Sequence, residues 1–352
     1  MSQVPSFPEL NLGRRPALFD ALLSHAFTGE VVEATFGSRT GWVVVDPIMA
    51  RVLLRRRDVS KGRSAVSRST TGGYPARTGA DFHRRRSEVV LALARAADPS
   101  VMASSFAATI GAKPPPRAEA PAAFTRWMLH DLIGPATAPV DATGLAEGIT
   151  AVEAAAEEAQ AGSPPSPELQ TARAALARVL TERVDAAHSL FIGELRERGW
   201  STHEIVEELI GLSLAGWEST AAAVTTALTI GLPARPNAAD IDELLRLYSP
   251  SWLIVRTMTG DEAWGSSGDL AVVSPWISHR SPAWREPERF EPARTDDPAP
   301  FPFGAGPRRC PADSYARTQI AVAVAAFGGR EAVSGRPVLL GHRSAALIPD
   351  DL

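Results

Sequence analysis

The sequence predicts a mainly α-helical protein with small β-sheets. Helical periodicity dominates the middle of the chain, over Thr171 to Arg198 and Ser201 to Leu232, while beyond Leu232 proline and glycine become dense and leave room for short strands only. The composition, 45% apolar and 22% charged in 352 residues, supports a sizeable core and is not that of a disordered chain.

Taken in order, Gly41 to Leu54 opens with Val43, Val44 and Val45, which suit a strand, and then turns helical. Two proline-rich stretches, Ala112 to Pro121 and Gly162 to Pro167, read as loops. Ser201-Thr202-His203-Glu204 is a capping box, in which Ser and Glu each satisfy a backbone amide at the helix start. A helix from there to about Ile230 is on the order of 40 Å long at ~1.5 Å per residue, enough to cross the molecule. Leu253 to Met258 and Leu270 to Ser274 read as short strands, and Ser281 to Pro307 holds seven prolines and reads as coil. Pro311 to Phe327 is helical again, with Pro311 expected in its first turn.

The charge balance excludes some functions. With 36 basic and 40 acidic residues the net charge is −4, which argues against general nucleic-acid binding. The single cysteine, Cys310, rules out an internal disulfide and multi-cysteine zinc or iron–sulfur sites. Met1 to Leu10 is neither basic nor followed by an apolar run, and no apolar run reaches the ~18 residues of a membrane helix, so a soluble cytoplasmic protein is expected, off the membrane.

The strongest local signal is Phe303-Gly304-Ala305-Gly306-Pro307-Arg308-Arg309-Cys310-Pro311-Ala312. A glycine-rich loop delivers the only cysteine to a helix N-terminus, where unpaired amides and the helix dipole favour thiolate; a lowered Cys310 pKa is expected. Gly304 and Gly306 are expected to let the backbone approach a flat ligand closely. A dinucleotide-binding reading fails, because Arg309 stands where a third glycine belongs.

Phe303, Gly306, Arg308 and Cys310 reproduce Phe-x-x-Gly-x-Arg-x-Cys, and here the chain resembles the cytochromes P450. The resemblance implies a single haem domain over residues 1–352, clearest from about 201 to 330, with haem b held by Cys310 as axial thiolate and Phe303, Gly304, Gly306, Arg308 and Ala312 around it. Ala312 stands where the family usually has glycine. Glu243-Leu244-Leu245-Arg246 matches the family's Glu-x-x-Arg helix, whose i,i+3 pair can interact, and Pro287-Glu288-Arg289-Phe290 matches the segment implied to complete a cluster through Arg289. His279-Arg280-Ser281-Pro282-Ala283-Trp284 also looks like the family. Phe82-His83-Arg84-Arg85-Arg86 resembles the helix that binds haem propionates; Phe82 and Arg86 fit its spacing, His83 is one position off, and Arg256 matches a third propionate contact.

Ala215-Gly216-Trp217-Glu218-Ser219-Thr220, mid-way along the long helix, resembles the oxygen-activation motif, with Ser219 in place of the usual threonine. Leu212, Gly216, Ser219 and Ala223 share one helical face, and small residues there leave a groove. The resemblance makes Glu218, Ser219 and Thr220 the catalytic set. Glu218 lies roughly 200° around the helix from Gly216, so its carboxylate is expected to face water and feed protons to Ser219. Substrate contacts are expected from Arg63 to Thr78, from Leu214, Ala215 and Trp217, and from Leu253, Ile254 and Val255. Only 24 positions separate Ser219 from Glu243, a short link for the family, occupied by Gly231-Leu232-Pro233-Ala234-Arg235-Pro236. A partner or second subunit is one way to cover the space this leaves.

The function implied is a haem-thiolate monooxygenase that oxidises a small organic molecule with dioxygen, in specialised-metabolite tailoring. With no flavin or iron–sulfur segment of its own, it would draw electrons from a ferredoxin and ferredoxin reductase, and its substrate could arrive on a carrier or partner protein. Arg308, Arg309 and Arg317 against Asp313 give a basic patch for an acidic electron donor, with Arg309 and Arg317 expected to be exposed. Alternatives are oxidative coupling, cyclisation or peroxide-driven oxidation on the same fold, and a non-catalytic haem protein that activates another enzyme.

Overall fold

The computed structural model describes residues 6–7, 19–20, 22, 29–36, 39–56, 79–111, 113, 115, 119–133, 147–152, 155, 166–186, 189–295, 298–340 and 344–350. A five-stranded sheet is built from β1 (Ser6–Phe7), β2 (Val31–Phe36), β3 (Arg39–Val44), β4 (Ile254–Thr257) and β5 (Leu270–Val273), in the order β1-β2-β3-β5-β4. β3 and β5 run parallel and β4 and β5 antiparallel, with Ile254 opposite Val273 and Arg256 opposite Ala271. Side chains alternate between faces. Val43 and Val272 join Phe19, Trp252 and Trp276 on one face, while Val44 and Val273 join Leu53, Leu54 and Phe301 on the other. After β3 the chain enters α1 (Pro47–Arg55), capped by the Asp46 carboxylate, which accepts from the Met49 amide at 2.7 Å.

The helical side comprises α2 (Gly79–Ala96), α3 (Pro99–Ile110), α4 (Ala120–Ile133), α5 (Pro167–Ala186), α6 (Leu190–Glu197), α7 (Thr202–Thr229), α8 (Ala238–Leu247), α9 (Pro275–Ser278) and α10 (Asp313–Phe327). The long helix expected over Thr171 to Arg198 is two helices, because Ser189 caps a new start at α6: its hydroxyl accepts from the Ile192 amide at 3.1 Å. The capping box at Ser201 and Glu204 forms, and Glu204 also pairs with Arg85 of α2, fixing the two helices together. α7 runs 28 residues and packs on α4, α5 and α10. No single helix among the described residues is long and apolar enough to cross a membrane.

A hairpin, β6 (Gly335–Leu340) with β7 (Ser344–Pro349), is tied to the end of α7: the Leu347 amide donates to Thr226 Oγ1 at 2.9 Å and Thr229 Oγ1 donates to the Leu347 carbonyl at 3.2 Å. The short link from α7 to α8 is covered by this chain itself. The Gly329 amide donates to the Leu232 carbonyl at 2.7 Å, and a side chain at Gly231 (φ 69°) would lie 2.7 Å from the Arg330 carbonyl.

Glu243 and Arg246 on α8 form a buried two-point pair at 2.7 and 2.9 Å. The third arginine of this cluster is Arg294, whose Nε donates to Glu243 Oε1 at 2.9 Å, and not the expected Arg289. The Arg289 side chain is exposed and pairs with Glu286; its carbonyl instead accepts from Arg246 at 3.2 Å and from Arg294 at 2.7 Å. His279 links the cluster to the segment leading to Cys310. Its Nδ1 donates to the Arg246 carbonyl at 2.9 Å, and its Nε2 accepts from the Phe301 amide at 3.1 Å. Buried completely, His279 is held neutral, with its pKa pushed down to about 3 by desolvation.

Candidate active site

The loop carrying Cys310 closes on itself: the Gly304 amide donates to the Phe301 carbonyl and the Cys310 amide to the Phe303 carbonyl, both at 2.8 Å. Gly304 (φ 71°) and Gly306 (φ 70°) both take a backbone conformation that favours glycine. Gly304 lines the cavity as expected, but Gly306 does not. A Cβ there would lie 2.5 Å from both Arg55 Cα and the Leu54 carbonyl, so this glycine lets the loop press against the end of α1. A 3-10 turn, Gly306–Arg308, follows.

Cys310 stands ahead of the last long helix. Ala312 is the N-cap and Asp313 the first helical residue, so Pro311 lies outside the first turn. This changes the thiol's electrostatics. Burial pushes the Cys310 pKa up to about 11; the Ala312 amide hydrogen bond, Arg86 and Arg309 oppose the rise without overcoming it, and Asp313 adds to it. The expected lowering is therefore reversed.

Cys310 lines a cavity with Phe303, Arg308 and Ala312 on one side and Gly216, Ser219, Thr220 and Ala223 of α7 on another. Phe82 and Arg86, one turn apart on α2, reach the same wall, whereas His83 is exposed and lies off it, since the next residue along a helix points ~100° away. Three guanidinium groups converge there. Arg256 is buried and its pKa is lowered to about 10 by desolvation and by the charge of Arg308, and Arg308 lies 4.7 Å over the Phe82 ring. Such a gathering suits an anionic ligand bearing carboxylates. Among the described residues no group of three or more His, Cys, Asp or Glu side chains could hold a metal, so a metal bound at Cys310 has to bring its other ligands with it. A flat iron macrocycle with carboxylate arms, as in haem, fits that donor set.

Of the expected substrate contacts, Ala215 and Ile254 line the cavity. Leu214 is buried in the helical core instead, and Leu253 and Val255 pack on the opposite side of the sheet from Ile254 and Arg256, as strand alternation demands. The side chain of Trp217 and the segment Arg63 to Thr78 lie outside the described residues. Ser219 Oγ donates to the Gly216 carbonyl at 3.1 Å. Glu218 does not line the cavity, as expected, but it is buried and does not face water.

The sequence reading missed Met128 and Leu132 of α4, Gln319 and Ile320 of α10, and Glu208 on α7, all on the cavity wall. Of the two arginines expected to be exposed, Arg309 is exposed and Arg317 is only partly so. Arg317 pairs with Asp313 at 2.7 Å and with Asp242 at 2.6 Å and lies over Phe303, while Arg309 pairs with Asp313. On the outer side of the Cys310 loop, Arg51 and Arg55 of α1 line a cleft with Arg309. Burial lowers the Arg51 pKa there, and the charges of Arg55 and Arg309 lower it further.

Comparison with known proteins adds to this geometry. The cytochrome P450 family model matches residues 237–327. Cyclooctatin synthase of Streptomyces melanosporofaciens is 30% identical over 194 residues, 42% of this chain and 42% of that protein. Cyclooctat-9-en-7-ol 5-monooxygenase of the same organism is 27% identical over 175 residues, 38% of each chain. The chain thus spans about two fifths of the length of these relatives. The crystal structure of a six-coordinated cytochrome P450 from Thermus thermophilus superposes with a TM-score of 0.71 at 19% identity, covering 98% of this chain and 100% of that one.

Proposed function

We propose that this chain, which belongs to the cytochrome P450 family, binds haem b through Cys310 and inserts oxygen into a small, largely alicyclic hydrocarbon. One observation carries the reading: a lone thiol and three converging guanidinium groups share one cavity with Gly216, Ser219 and Thr220 of α7. Bound there, the haem supplies dioxygen activation, with the thiolate ligand favouring O–O cleavage.

The protein's own groups have definite tasks in this reading. Cys310 would hold the haem iron through Sγ, and a bound cation would favour its deprotonated form. Arg86, Arg256 and Arg308 hold the carboxylate arms, and Phe82 supports the Arg308 guanidinium from below. Ser219 has committed its hydroxyl proton to the Gly216 carbonyl. Thr220, on the same wall, then carries protons into the cavity, Ser219 accepts, and the adjacent buried Glu218 is the acid behind them.

Apolar lining from Leu212, Ala215, Ile254 and Met128 suits a largely apolar substrate, and the similarity to a monooxygenase named for the alicyclic alcohol cyclooctat-9-en-7-ol is in keeping with that. An acidic ferredoxin fits over the cleft at Arg51, Arg55 and Arg309, with Ile48 and Val52 exposed beside it on α1. The engagement of Ser219 favours oxidative coupling as a second reading, in which no oxygen atom is transferred. Turnover under oxygen-18 decides between them: label in the product supports insertion, and its absence supports coupling.

A further inference from the structure

We infer that the Asp131 carboxylate sets how readily the bound haem accepts an electron, by holding a negative charge directly behind the cavity wall. The inference rests on the haem reading above and adds a control over its reduction. Asp131 lies on α4 between Met128 and Leu132, which line the cavity, and is itself half-buried. It faces α10, whose cavity-lining residues Ala312, Ala316, Gln319 and Ile320 form one helical stripe. Of these four only Gln319, 3% exposed, has a polar side chain. Its Nε2 donates to Asp131 Oδ2 at 3.2 Å, and the Tyr315 hydroxyl, one turn earlier and also buried, donates to the same oxygen at 2.6 Å.

The arrangement does more than clip two helices together. A neutral amide at this position would also accept hydrogen bonds; a carboxylate adds a charge. Hydrogen bonds received by a carboxylate favour its charged form, and here those from Tyr315 and Gln319 oppose the desolvation that raises the Asp131 pKa. Among the described residues no arginine or lysine pairs with Asp131. The adjacent His130 does not neutralise it at alkaline pH, because burial and the charge of Arg183 lower the His130 pKa from its ordinary 6.5. The negative charge is therefore left standing, and the polar side chain of α10 that reaches the cavity turns its donor back toward Asp131. A negative charge beside a haem favours the oxidised iron, which carries one more positive charge, and a partly desolvated site transmits that preference further than water does. Asp131 thus holds the potential down, and the first electron is accepted less readily.

The test measures the midpoint potential of the substrate-free holoenzyme at about pH 8, by dye-mediated reductive titration read from the haem spectrum. Asp131→Asn keeps the size and an acceptor oxygen and removes the charge. It should favour the reduced form roughly threefold over the wild type, a rise of about 28 mV at ~59 mV per tenfold for one electron. Tyr315→Phe removes the shorter contact between the helices and keeps the charge, so its shift should be less than half as large. A purely structural clip would move the potential at least as much in Tyr315→Phe. A rise of less than about twofold or a fall in Asp131→Asn, or a Tyr315→Phe shift half as large or larger, overturns the proposal. If Asp131→Asn does not load haem, Asp131→Ser, equally uncharged, is judged by the same limits. The reduced carbon monoxide spectrum of the wild type is recorded on the same samples. Absence of a thiolate-type band there refutes the haem reading, whereas a normal band with an unmoved potential in the variants refutes the Asp131 assignment alone.

Discussion

Arg294, and not Arg289, should carry the stability of the cluster behind the Cys310 loop. The Arg294 side chain is 6% exposed; it donates to Glu243 Oε1 at 2.9 Å, to the Glu286 carbonyl at 2.9 Å and to the Arg289 carbonyl at 2.7 Å. Replacing it with methionine keeps most of the volume but removes every one of these donors. Breaking a buried ion pair from one side costs about 3–5 kcal/mol. At ~2.1 cal/mol/K of unfolding entropy per residue, a chain this long shifts its Tm by roughly 1.4 °C per kcal/mol, so Arg294→Met should lower Tm by roughly 4–7 °C. Arg289 has a side chain 63% exposed and pairs with Glu286 at 54% exposure. Arg289→Met should therefore stay within ~0.5 kcal/mol of the wild type, a Tm change of under about 1 °C. Thermal unfolding of the haem-loaded protein, followed by circular dichroism and by haem release, reads both variants. Equal losses, or a larger loss in Arg289→Met, would refute the reasoning.

Three other outcomes follow from the geometry. His279 has a folded pKa of about 3 against an ordinary 6.5, so below pH 6.5 the unfolded chain binds a proton that the folded chain refuses; stability should fall between pH 6.5 and 3 by up to roughly 5 kcal/mol, and denaturant titrations should show that slope flattened in His279→Gln. Gly306→Ala drives a methyl to 2.5 Å from the α1 backbone and should abolish stable haem loading, whereas Gly304→Ala, whose nearest contact is Ile254 Cδ1 at 3.7 Å, should lose only about 1–2 kcal/mol of stability from its positive φ; the ratio of haem to protein after purification checks the ranking. Thr220→Ala should lower product formed per NAD(P)H consumed more than Ser219→Ala, because the Ser219 hydroxyl already donates to Gly216, and Glu218→Gln should slow turnover by up to ~10²-fold with little change in substrate affinity; equal coupling in all three variants contradicts the relay.

What the sequence made legible was whatever depends on neighbours along the chain. The capping box at Ser201, the strands around Val43, Ile254 and Val272, and the face shared by Leu212, Gly216, Ser219 and Ala223 are all periodicity or capping, and the structure has them. The Cys310 loop was legible as a motif. The misses are cases where a long-range contact decides. Arg289 and Arg294 both lie in an arginine-rich coil, and only the fold determines which one reaches Glu243. A helix start after Cys310 argues for a low pKa, but burial outweighs it, and the helix begins three residues later than the cysteine. Arg317 looked free because its partner Asp242 is distant in sequence. Val255 and Leu253 adjoin Ile254 in sequence, but a strand presents neighbouring residues to opposite faces, and only Ile254 of the three lines the cavity. Glu208 carried a signal that could have been used: it sits four residues before Leu212 on the stripe already recognised.

The central claim is that Cys310 ligates haem iron as a thiolate in the cavity opposite α7. The most direct measurement is the reduced carbon monoxide difference spectrum of the purified protein and of Cys310→Ala, each with its bound haem quantified. The account predicts a thiolate-type Soret band in the wild type and its loss in the variant, with α-helix content unchanged by circular dichroism. A band of the histidine or neutral-thiol type in fully folded wild-type protein, or a thiolate-type band that persists in Cys310→Ala, would contradict it.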